Sequence, residues 1–421
     1  MDPEQHSILR HARPCAGHPR LTFCQDVGGR DKPGRDVESI LAIKTIGIIL
    51  NGATGRICST QHIANALAPI RDEGGLPVGD DRIVPRLMLT GRSAEKLAAV
   101  GRSYGAESTT DLGKALADPA FTVFFDAAAT SQRQGVLERA IAAGKHIYAE
   151  KPVALSVDKG LPLLAAIKAR GLKAGAVEDK LGLPGFAKLS RLAAEKFFGN
   201  IVGFRIEFGW WVFDGTEVPC QRPSWNYRSK TGGGLILDMY PHWRYVIENT
   251  LGPIRRVVSA MATATPQRVD EHGAIYDVDV EDSVSTLVEL ESGAIGTILS
   301  SWATRVRRDD LLTFQIDGSR GSAIAGLHRC FTTINAQTPR TAHFSVATDL
   351  NIDYRASWHE VADSGPFKNP YRIGWENFLR HLMTDAPLQA DFAAGVRDVQ
   401  FAEACYRSVR DGTWATLDAR S

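Results

Sequence analysis

The stretch IKTIGIILNGATGRI, residues 43–57, contains the strongest fold signal of the chain. The nearly continuous apolar run from Ile43 to Leu50 is typical of a parallel strand buried on both faces. Gly52 and Gly55 follow at once, before a helical pattern that runs to Leu67. A strand, a glycine turn and a helix in this order can hold the pyrophosphate of a dinucleotide, because the helix start offers free N–H groups. A glycine pair without these flanks would more often be an ordinary turn.

We predict cofactor contacts along this loop. Its spacing is GxxGxxC, with Cys58 where a third glycine is usual. Cysteine is small enough to allow close packing of the helix, although the match to the pattern is weaker for it. The predicted contacts are Gly52, Ala53, Thr54, Gly55, Arg56 and Ile57.

The same alternation of strand and helix recurs downstream of the loop. Strands are predicted at 86–90, 122–126, 146–149 and 172–177, with helices at 94–100, 132–143 and 157–169. Such βαβ units form a parallel sheet with right-handed crossovers. We therefore predict an α/β Rossmann-type, doubly wound domain over residues 43–177. Residues 68–81, rich in glycine, proline and carboxylates, are predicted to be an insertion loop.

The pattern changes after residue 177. Strands are predicted at 201–213, 255–265, 282–291, 294–303 and 311–318, and Glu291-Ser292-Gly293 reads as a hairpin turn. We predict an α+β domain over 178–421 with a large, mostly antiparallel sheet. Helices at 374–383 and 393–410 close the structure, and they could pack back on the first domain.

The length, net charge and cysteine pattern of the chain limit the kinds of function that it can have. A chain of 421 residues exceeds a single core, and 49 basic against 48 acidic side chains leave a net charge of +1. We therefore predict a small-molecule partner, with neither nucleic acid nor membrane. Six cysteines without a CxxC pair indicate reduced thiols and a cytoplasmic protein. Residues 1–42 are predicted to be a flexible extension, and the spacing of their histidines and cysteines matches no common zinc site, so no metal is predicted.

Cofactor type is expected to be set after the second strand, at Thr90-Gly91-Arg92-Ser93. NAD sites commonly place a carboxylate there, and this segment has none. Arg92 and Ser93 could bind a 2′-phosphate, with Lys96 one turn further on. NADP is therefore favoured, and NAD is possible. In the alternative interpretation Ser93 is a helix N-cap and Arg92 a solvated charge.

Glu150-Lys151-Pro152 follows the predicted strand at 146–149. Open α/β sheets bind ligands at the carboxyl ends of their strands, so both Glu150 and Lys151 are predicted to lie at the cofactor. The Lys151 ammonium could stabilise an alkoxide that develops during hydride removal. The alternative is a surface ion pair between Glu150 and Lys151 ahead of a proline turn.

The segment GGGLILDMYPH, residues 232–242, places Asp238 and His242 four residues apart, on one face if the segment is helical. His242 is the natural proton acceptor, and Asp238 could orient it or bind substrate. Pro241 must kink this helix or lie in its first turn, where Asp238 would be occupied as an N-cap. A lone histidine would more often be structural.

Aromatic side chains precede this segment. Trp210 and Trp211 are predicted to face opposite sides of a strand. Residues 222–228 read as a loop over the site, in which Trp225 and Tyr227 are candidate substrate contacts, although bulky aromatic residues are usually packing.

The glycine loop, AGKHIYAEKP and GGGLILDMYPH, in this order and spacing, resemble the Gfo/Idh/MocA oxidoreductases from about residue 44 onward. The resemblance implies an N-terminal Rossmann domain and a C-terminal domain whose open sheet often makes oligomer contacts, hence a homo-oligomer, dimer or tetramer. It also implies NAD(P)-dependent oxidation or reduction of a sugar-like hydroxyl or ketone. By matching positions, Lys151, Asp238 and His242 are the catalytic group.

Some positions depart from the family pattern. NGATGRIC is closer to the loop of dihydrodipicolinate reductase, and the threonine-proline of many members is replaced around Thr130, which could still face the nicotinamide ribose. Lys180 stands where members often have asparagine or arginine, so it is a candidate substrate contact. The predicted reaction is hydride transfer with a sugar, polyol or glycoside. The alternatives are a glycoside-cleaving enzyme that uses NAD(P) transiently and a dinucleotide-binding sensor without turnover.

Overall fold

Two β-sheets organise the chain in a computed structural model that describes residues 42–211, 215–220, 222–340 and 352–417. The predicted flexible extension lies outside the described residues, except for Ala42, which begins the first strand. None of the helices in the described ranges has the length and apolarity that a bilayer crossing requires.

The first sheet is the predicted parallel sheet. Its strands are β1 (Ala42–Asn51), β2 (Leu76–Val78), β3 (Asp81–Thr90), β4 (Glu107–Thr109), β5 (Phe121–Asp126), β6 (His146–Ala149) and β7 (Ala174–Ala176). The order is β2-β3-β1-β5-β6-β7, with β4 also paired to β3. Every pair is parallel except β2–β3. The doubly wound α/β prediction is confirmed.

Helices cover both faces of this sheet. They are α1 (Ile57–Leu67, π-helical, continuing as Ala68–Asp72), α2 (Ala94–Tyr104), α3 (Leu112–Ala117), α4 (Thr130–Ala142) and α5 (Val157–Ala169). Ile48 and Leu50 face the core that contains Ile63 of α1, whereas Ile49 faces the core that contains Leu137 of α4. Burial on both faces explains why β1 reads as an apolar run rather than as an alternation.

The prediction of an insertion loop at 68–81 was wrong. Ala68–Asp72 continues α1, and β2 forms an antiparallel hairpin with the start of β3. Leu76 and Val78 are buried while Pro77 between them is exposed, as an edge strand allows. The strand β3 also begins five residues before the predicted 86, because Pro85 inside it disrupts the apolar pattern. Burial of apolar side chains outweighed the turn signals of glycine and proline.

The second sheet has nine strands within the described residues. They are β8 (Ile201–Gly209), β9 (Ile254–Ala262), β12 (Ser283–Leu290), β13 (Ile295–Ser301), β14 (Leu312–Gly318), β15 (Gly321–Ala325), β16 (Cys330–Ile334), β17 (His359–Glu360) and β18 (Ala415–Thr416), while β10 (Gln267–Val269) and β11 (Ile275–Asp277) form a separate hairpin. The order is β17-β16-β15-β14-β8-β13-β12-β9-β18, and only β8–β13 is parallel among these pairs. The mostly antiparallel sheet is confirmed.

Two predictions for this sheet concern the turn after β12 and the length of β8. The predicted turn after β12 is present, since Leu290 N–H donates to the Ala294 carbonyl and Gly293 has a φ of 86°. The strand predicted at 201–213 is too long. It ends at Gly209 because the neighbouring β13 ends at Ser301 and β14 begins at Leu312, so Trp210 and Trp211 lie beyond the strand.

Helices connect the two sheets. They are α6 (Pro184–Ala194), α7 (Leu235–Leu251), α8 (Pro370–Thr384) and α9 (Phe392–Asp411), with 3-10 turns at Asp179–Gly182, Ser224–Tyr227 and Ser229–Thr231. The helix α9 contributes to the cores of both sheets. Phe392 and Val396 pack in the core of the first sheet, whereas Phe401 and Cys405 pack in that of the second. As a result, α7 lies against the carboxyl edge of the first sheet.

Candidate active site

Polar side chains meet at the carboxyl edge of the first sheet. Asn51 Nδ2 donates to Asp126 Oδ1 at 2.7 Å, and Thr90 Oγ1 donates to Asn51 Oδ1 at 3.1 Å. Arg133 of α4 is buried, and its Nε donates to Asp126 Oδ2 at 2.8 Å while its Nη1 donates to the Pro152 carbonyl. This arginine, which the sequence analysis missed, joins the ends of β1 and β5 to the segment that contains Lys151.

The glycine loop fits a bound pyrophosphate. Gly52 has a φ of +76°, and a Cβ there would lie 2.9 Å from the Ala128 backbone nitrogen, so only glycine is accommodated. Gly55 N–H donates to the Gly52 carbonyl at 2.9 Å, which closes the turn. At the start of α1, Arg56 makes no side-chain cap, and both Gly55 and Arg56 are exposed. The first N–H groups of α1 are therefore available to an anion.

In the segment that follows β3, some side chains are engaged in hydrogen bonds within the protein and another is exposed to solvent. Thr90 is buried and hydrogen-bonded to the end of β1. Ser93 Oγ accepts from Lys96 N–H at 3.3 Å, so Ser93 caps α2, as in the alternative interpretation. Arg92 is exposed next to this cap. The guanidinium, rather than the hydroxyl, is thus the group left to contact a cofactor.

Glu150 and Lys151 do not form the surface ion pair of the alternative interpretation. Glu150 is buried, with Oε1 at 2.8 Å from His62 Nε2 and Oε2 accepting from Lys151 N–H at 3.1 Å. Trp375 Nε1–H donates to His62 Nδ1 at 3.0 Å, so the His62 proton is on Nε2 and points at Glu150. This buried network, contributed by α1 and α8, holds the backbone from which the Lys151 side chain extends.

The helix α7 starts at Leu235, and Pro241 lies in its second turn. The predicted option of Asp238 as an N-cap is wrong, because Glu281 takes that role. Its Oε1 accepts from Ile236 N–H at 2.7 Å. A Cβ on Gly234 would lie 2.8 Å from Glu281 Oε1, so the last of the three glycines makes room for this cap. Asp238 is therefore left for other partners.

Asp238 binds two cations. Lys151 Nζ lies 2.9 Å from Asp238 Oδ1 and donates to the Asp238 carbonyl at 2.8 Å, and Arg222 Nη2 lies 2.8 Å from Oδ2. Burial by itself would raise the pKa of Asp238, but the charges of Arg222 and Lys151 outweigh it and hold this pKa below its ordinary value. Asp238 is thus a carboxylate that fixes the ammonium group of Lys151.

His242 lies one turn after Asp238 on α7, and a second carboxylate stands behind it. Its Nδ1 is 2.7 Å from Tyr245 Oη and 3.6 Å from Asp179 Oδ1. Tyr245 Oη is 3.3 Å from Asp179 Oδ1, and Lys180 N–H donates to that phenol at 3.0 Å.

Burial and nearby cations keep His242 neutral. Burial lowers the pKa of His242 well below its ordinary value, and three cations act in the same direction. They are Lys151, Lys180 and Arg222. A neutral imidazole at physiological pH can accept a proton, as a general base must.

A buried ion cluster anchors α7 on both sides. Arg244 lies 2.7 Å from Glu178, which follows β7, 2.6 Å from Asp398 of α9 and 3.2 Å from Glu248. Arg397 is the second cation, 2.6 Å from Glu248. Three carboxylates against two guanidinium groups leave one excess negative charge. Burial raises the pKa of Glu178 and raises that of Asp398 to about 7, so the cluster retains a proton.

We expect Asp398→Asn to reduce the pH dependence of stability. A raised carboxyl pKa contributes stability that is complete below the ordinary value of 3.8 and is lost as pH rises through about 7. The wild-type free energy of unfolding should therefore fall from pH 4 to pH 7, by at most about 1.4 kcal/mol per pH unit. Urea unfolding at several pH values would measure this fall. If the free energy of unfolding of wild type and of Asp398→Asn changed equally with pH, the raised pKa of Asp398 would be contradicted.

The structure brings Lys151, Asp238 and His242 together and adds Lys180, whose Nζ lies 2.5 Å from Asp179 Oδ2. Thr130 is half-buried at the first turn of α4. Trp225 is 47% exposed.

The prediction for Tyr227 was wrong. Its ring is fully buried, with the Arg268 guanidinium carbon 4.3 Å and the Trp302 ring 5.3 Å from its centroid. Packing, the alternative for a bulky aromatic residue, accounts for its position.

Besides Arg133, sequence reasoning missed Arg222, Asp179 and Tyr245. The spacing of Tyr245, three residues after His242, was a usable signal, because it places both on one helix face. The contact of Arg222 with Asp238 left no local signal.

Comparison with known proteins identifies the family of the chain. Residues 46–177 match the oxidoreductase family with an NAD-binding Rossmann fold, and residues 186–324 match the GFO/IDH/MocA C-terminal domain. A D-xylose dehydrogenase of Paenarthrobacter nicotinovorans is 40% identical over 85% of this chain and 94% of its own. A levoglucosan dehydrogenase of Pseudarthrobacter phenanthrenivorans is 26% identical over 68% of this chain and 74% of its own.

Solved structures share the fold. A levoglucosan dehydrogenase in complex with NADH and levoglucosan matches with a TM-score of 0.74 at 20% identity, over 89% of this chain and all of that one. An NAD-binding oxidoreductase from Klebsiella pneumoniae matches with a TM-score of 0.75 over the same shares. With both domain matches and the glycine loop in place, the chain belongs to the Gfo/Idh/MocA family of NAD(P)-dependent oxidoreductases.

Proposed function

We propose that this oxidoreductase transfers hydride between a nicotinamide cofactor and a secondary hydroxyl or ketone of a sugar, polyol or glycoside. The observation that carries the proposal is the ion pair of 2.9 Å between Lys151 and Asp238, one helical turn from the neutral His242 at the carboxyl edge of the sheet. The 40% identity to a D-xylose dehydrogenase supports a sugar substrate.

Each residue of this group has a role that its surroundings support. A nicotinamide dinucleotide, when bound, would supply the hydride acceptor. His242 takes the hydroxyl proton, which its depressed pKa allows at neutral pH. Lys151, held by Asp238, places a positive charge where the alkoxide develops, and Arg222 keeps Asp238 ionised. Lys151, Asp238 and His242 are thus the proposed catalytic residues.

The proposed cofactor contacts follow the same edge. The glycine loop would hold the pyrophosphate, since no side-chain cap covers the first N–H groups of α1. We assign cofactor contacts to Gly52, Ala53, Thr54, Gly55, Arg56, Ile57, Gly91, Arg92, Thr130 and Lys151. The side chains of Thr90, Ser93 and Glu150 are engaged in the hydrogen bonds described above, so they support these contacts from within the protein. Lys180 and the exposed Trp225 are the proposed substrate contacts.

Turnover of a sugar panel tests the function. The purified full chain is incubated with NAD⁺ or NADP⁺ and aldoses, polyols and anhydrosugars, beginning with D-xylose, and absorbance is followed at 340 nm. A rise in absorbance with a stoichiometric oxidised sugar supports the proposal. Cleavage of a glycoside without net NAD(P)H would favour the glycoside-cleaving alternative. Tight cofactor binding without turnover across the panel would favour the sensor.

NADP is the proposed cofactor, with NAD as the alternative. The support is the exposed Arg92 and the lack of a carboxylate in residues 90–93. We expect Arg92→Ala to raise KM for NADP about tenfold, by losing one charged hydrogen bond to a 2′-phosphate, with little change in KM for NAD. Steady-state kinetics with both cofactors checks this, and Arg102→Ala, which removes an exposed arginine near the end of α2 instead, is the control. Equal effects on both cofactors would contradict the assignment.

The outer face of the second sheet supports a homo-oligomer of two or four chains. Leu287, Ile295 and Leu299 lie on the adjacent β12 and β13 and are 41%, 51% and 45% exposed. An apolar patch on an open sheet face is typical of a protein interface. Light scattering should give a mass of at least two chains, whereas a mass of 45.8 kDa would contradict the proposal.

A cytoplasmic location is proposed from the thiols. Cys58, Cys220, Cys330 and Cys405 are all free in the described residues, which suits a reducing compartment.

A further inference from the structure

We propose that Tyr245 and Asp179 are positioning residues that keep the proton of His242 on Nδ1, leaving Nε2 bare to receive the substrate proton. The inference rests on the proposed function, because it says how the proposed base is prepared. Neither residue was predicted for the site, and both are contributed by segments other than the Lys151 loop.

The assignment of protons follows from counting donors around the Tyr245 phenol. Its oxygen has one proton to give and already accepts from Lys180 N–H at 3.0 Å. Two groups compete for that proton: Asp179 Oδ1 at 3.3 Å and His242 Nδ1 at 2.7 Å. The phenol can donate to only one of them.

The buried carboxylate decides the competition. Asp179 is buried, and the Nζ of Lys180 pairs with its Oδ2. Among the described residues, Tyr245 is the hydrogen-bond donor within reach of Oδ1. If the phenol donated to His242 instead, Oδ1 would be left unsatisfied, at a cost of about 1–3 kcal/mol. The phenol therefore donates to Asp179, and His242 Nδ1–H donates to the phenol oxygen.

This chain of hydrogen bonds prepares both states of the base. In the resting state the lone pair of Nε2 is the only acceptor that the ring offers. In the reaction the substrate O–H bond breaks and an N–H bond forms at Nε2, while the carbinol hydrogen leaves with its electron pair to oxidised NAD(P). The imidazolium then carries a positive charge whose Nδ1 is 3.6 Å from the Asp179 carboxylate. Through the phenol, Asp179 stabilises that charge.

The cations near His242 oppose its protonation, so a nearby carboxylate is needed to stabilise the imidazolium. Lys151, Lys180 and Arg222 all disfavour a protonated His242. Asp238, on the same helix, is held by two of these cations, Lys151 and Arg222. Asp179 is thus the carboxylate that lies within 4 Å of the ring in the described structure.

Tyr245→Phe tests the phenol. We expect kcat to fall about 10- to 100-fold with KM nearly unchanged, because the base loses its tautomer preference but the substrate keeps its contacts. Tyr240→Phe is the matched control: it removes another buried phenol of α7, bonded to Thr286 at 2.8 Å away from the site, and should leave kcat unchanged. Equal kcat for Tyr245→Phe and wild type would overturn the proposal.

Asp179→Asn tests the charge through the pH profile. Loss of the carboxylate destabilises the imidazolium, so the acidic limb of kcat/KM should move to lower pH as kcat falls. An acidic limb at the wild-type pH would overturn the role of Asp179.

A third measurement reads the proton position directly and does not depend on turnover. ¹⁵N-histidine NMR of the wild type should show His242 with a protonated Nδ1 and a bare Nε2, its signal identified by its absence in His242→Gln. A proton on Nε2 would overturn the proposal even in an active enzyme. Failure of the proposed function is a separate result, since it would appear as a wild type without turnover on any sugar.

Discussion

Lys151→Met is expected to lower kcat on the order of 10²- to 10³-fold while the dissociation constant of the cofactor changes little. Methionine keeps the length of the side chain but removes the ammonium group, which lies 2.9 Å from Asp238. Arg222 still neutralises Asp238 in the variant, so the site should keep its shape. The lost charge would have stabilised an alkoxide that exists only as hydride leaves, and such a loss lowers kcat rather than binding.

Steady-state kinetics and a cofactor titration by protein fluorescence measure the two quantities. Lys159→Met is the matched control, because Lys159 is exposed on α5 and the described contact of its ammonium group is a hydrogen bond to Gln134 at 3.0 Å. An equal loss of cofactor affinity and of turnover in Lys151→Met would show a binding residue instead of a catalytic one.

Arg244→Met is expected to destabilise the fold by about 3–5 kcal/mol, because it removes one partner of a buried ion cluster. The guanidinium of Arg244 is buried and contacts Glu178, Asp398 and Glu248. Without it these carboxylates must protonate or remain unpaired away from water, and both outcomes cost free energy. The loss is large relative to the total stability of a typical protein.

Urea unfolding and the thermal midpoint provide the measurement. Arg410→Met is the control, since Arg410 is exposed and pairs with its neighbour Asp411 at 2.8 Å, an arrangement that contributes little. A change in Arg244→Met as small as that in the control would show that the cluster does not stabilise the packing of α7. Activity should fall in parallel, because α7 carries Asp238 and His242.

The sequence predicted the elements whose signal is local. Helix bounds at 157–169 and strand bounds at 146–149 agree with the structure residue for residue, since each is flanked by clear changes of periodicity. The loop prediction for residues 68–81 was wrong for the opposite reason. Their glycines and prolines indicate a loop, and only the core beneath them decides that Leu76 and Val78 are buried in a strand.

The residues of the candidate site also fall into those that a local signal predicts and those that it does not. The glycine loop, Lys151, Asp238 and His242 could be found because each occurs in a short motif with a fixed spacing. Arg222 and Asp179 could not, because their roles depend on contacts between distant segments. Tyr227 was misjudged since an aromatic residue near a site looks the same in the sequence whether it faces a substrate or the core.

The sequence alone was enough to predict a dinucleotide-binding parallel sheet, a mostly antiparallel second sheet, and a lysine, an aspartate and a histidine as candidates for hydride chemistry. Periodicity and motif spacing act over a few residues, so these features are readable without coordinates. Tertiary structure decided which partners set the charge and proton position of each group. Lys151 meets Asp238 across 87 residues, and Tyr245 meets Asp179 across 66, and only the packing of α7 against the sheet edge brings such pairs within hydrogen-bond distance.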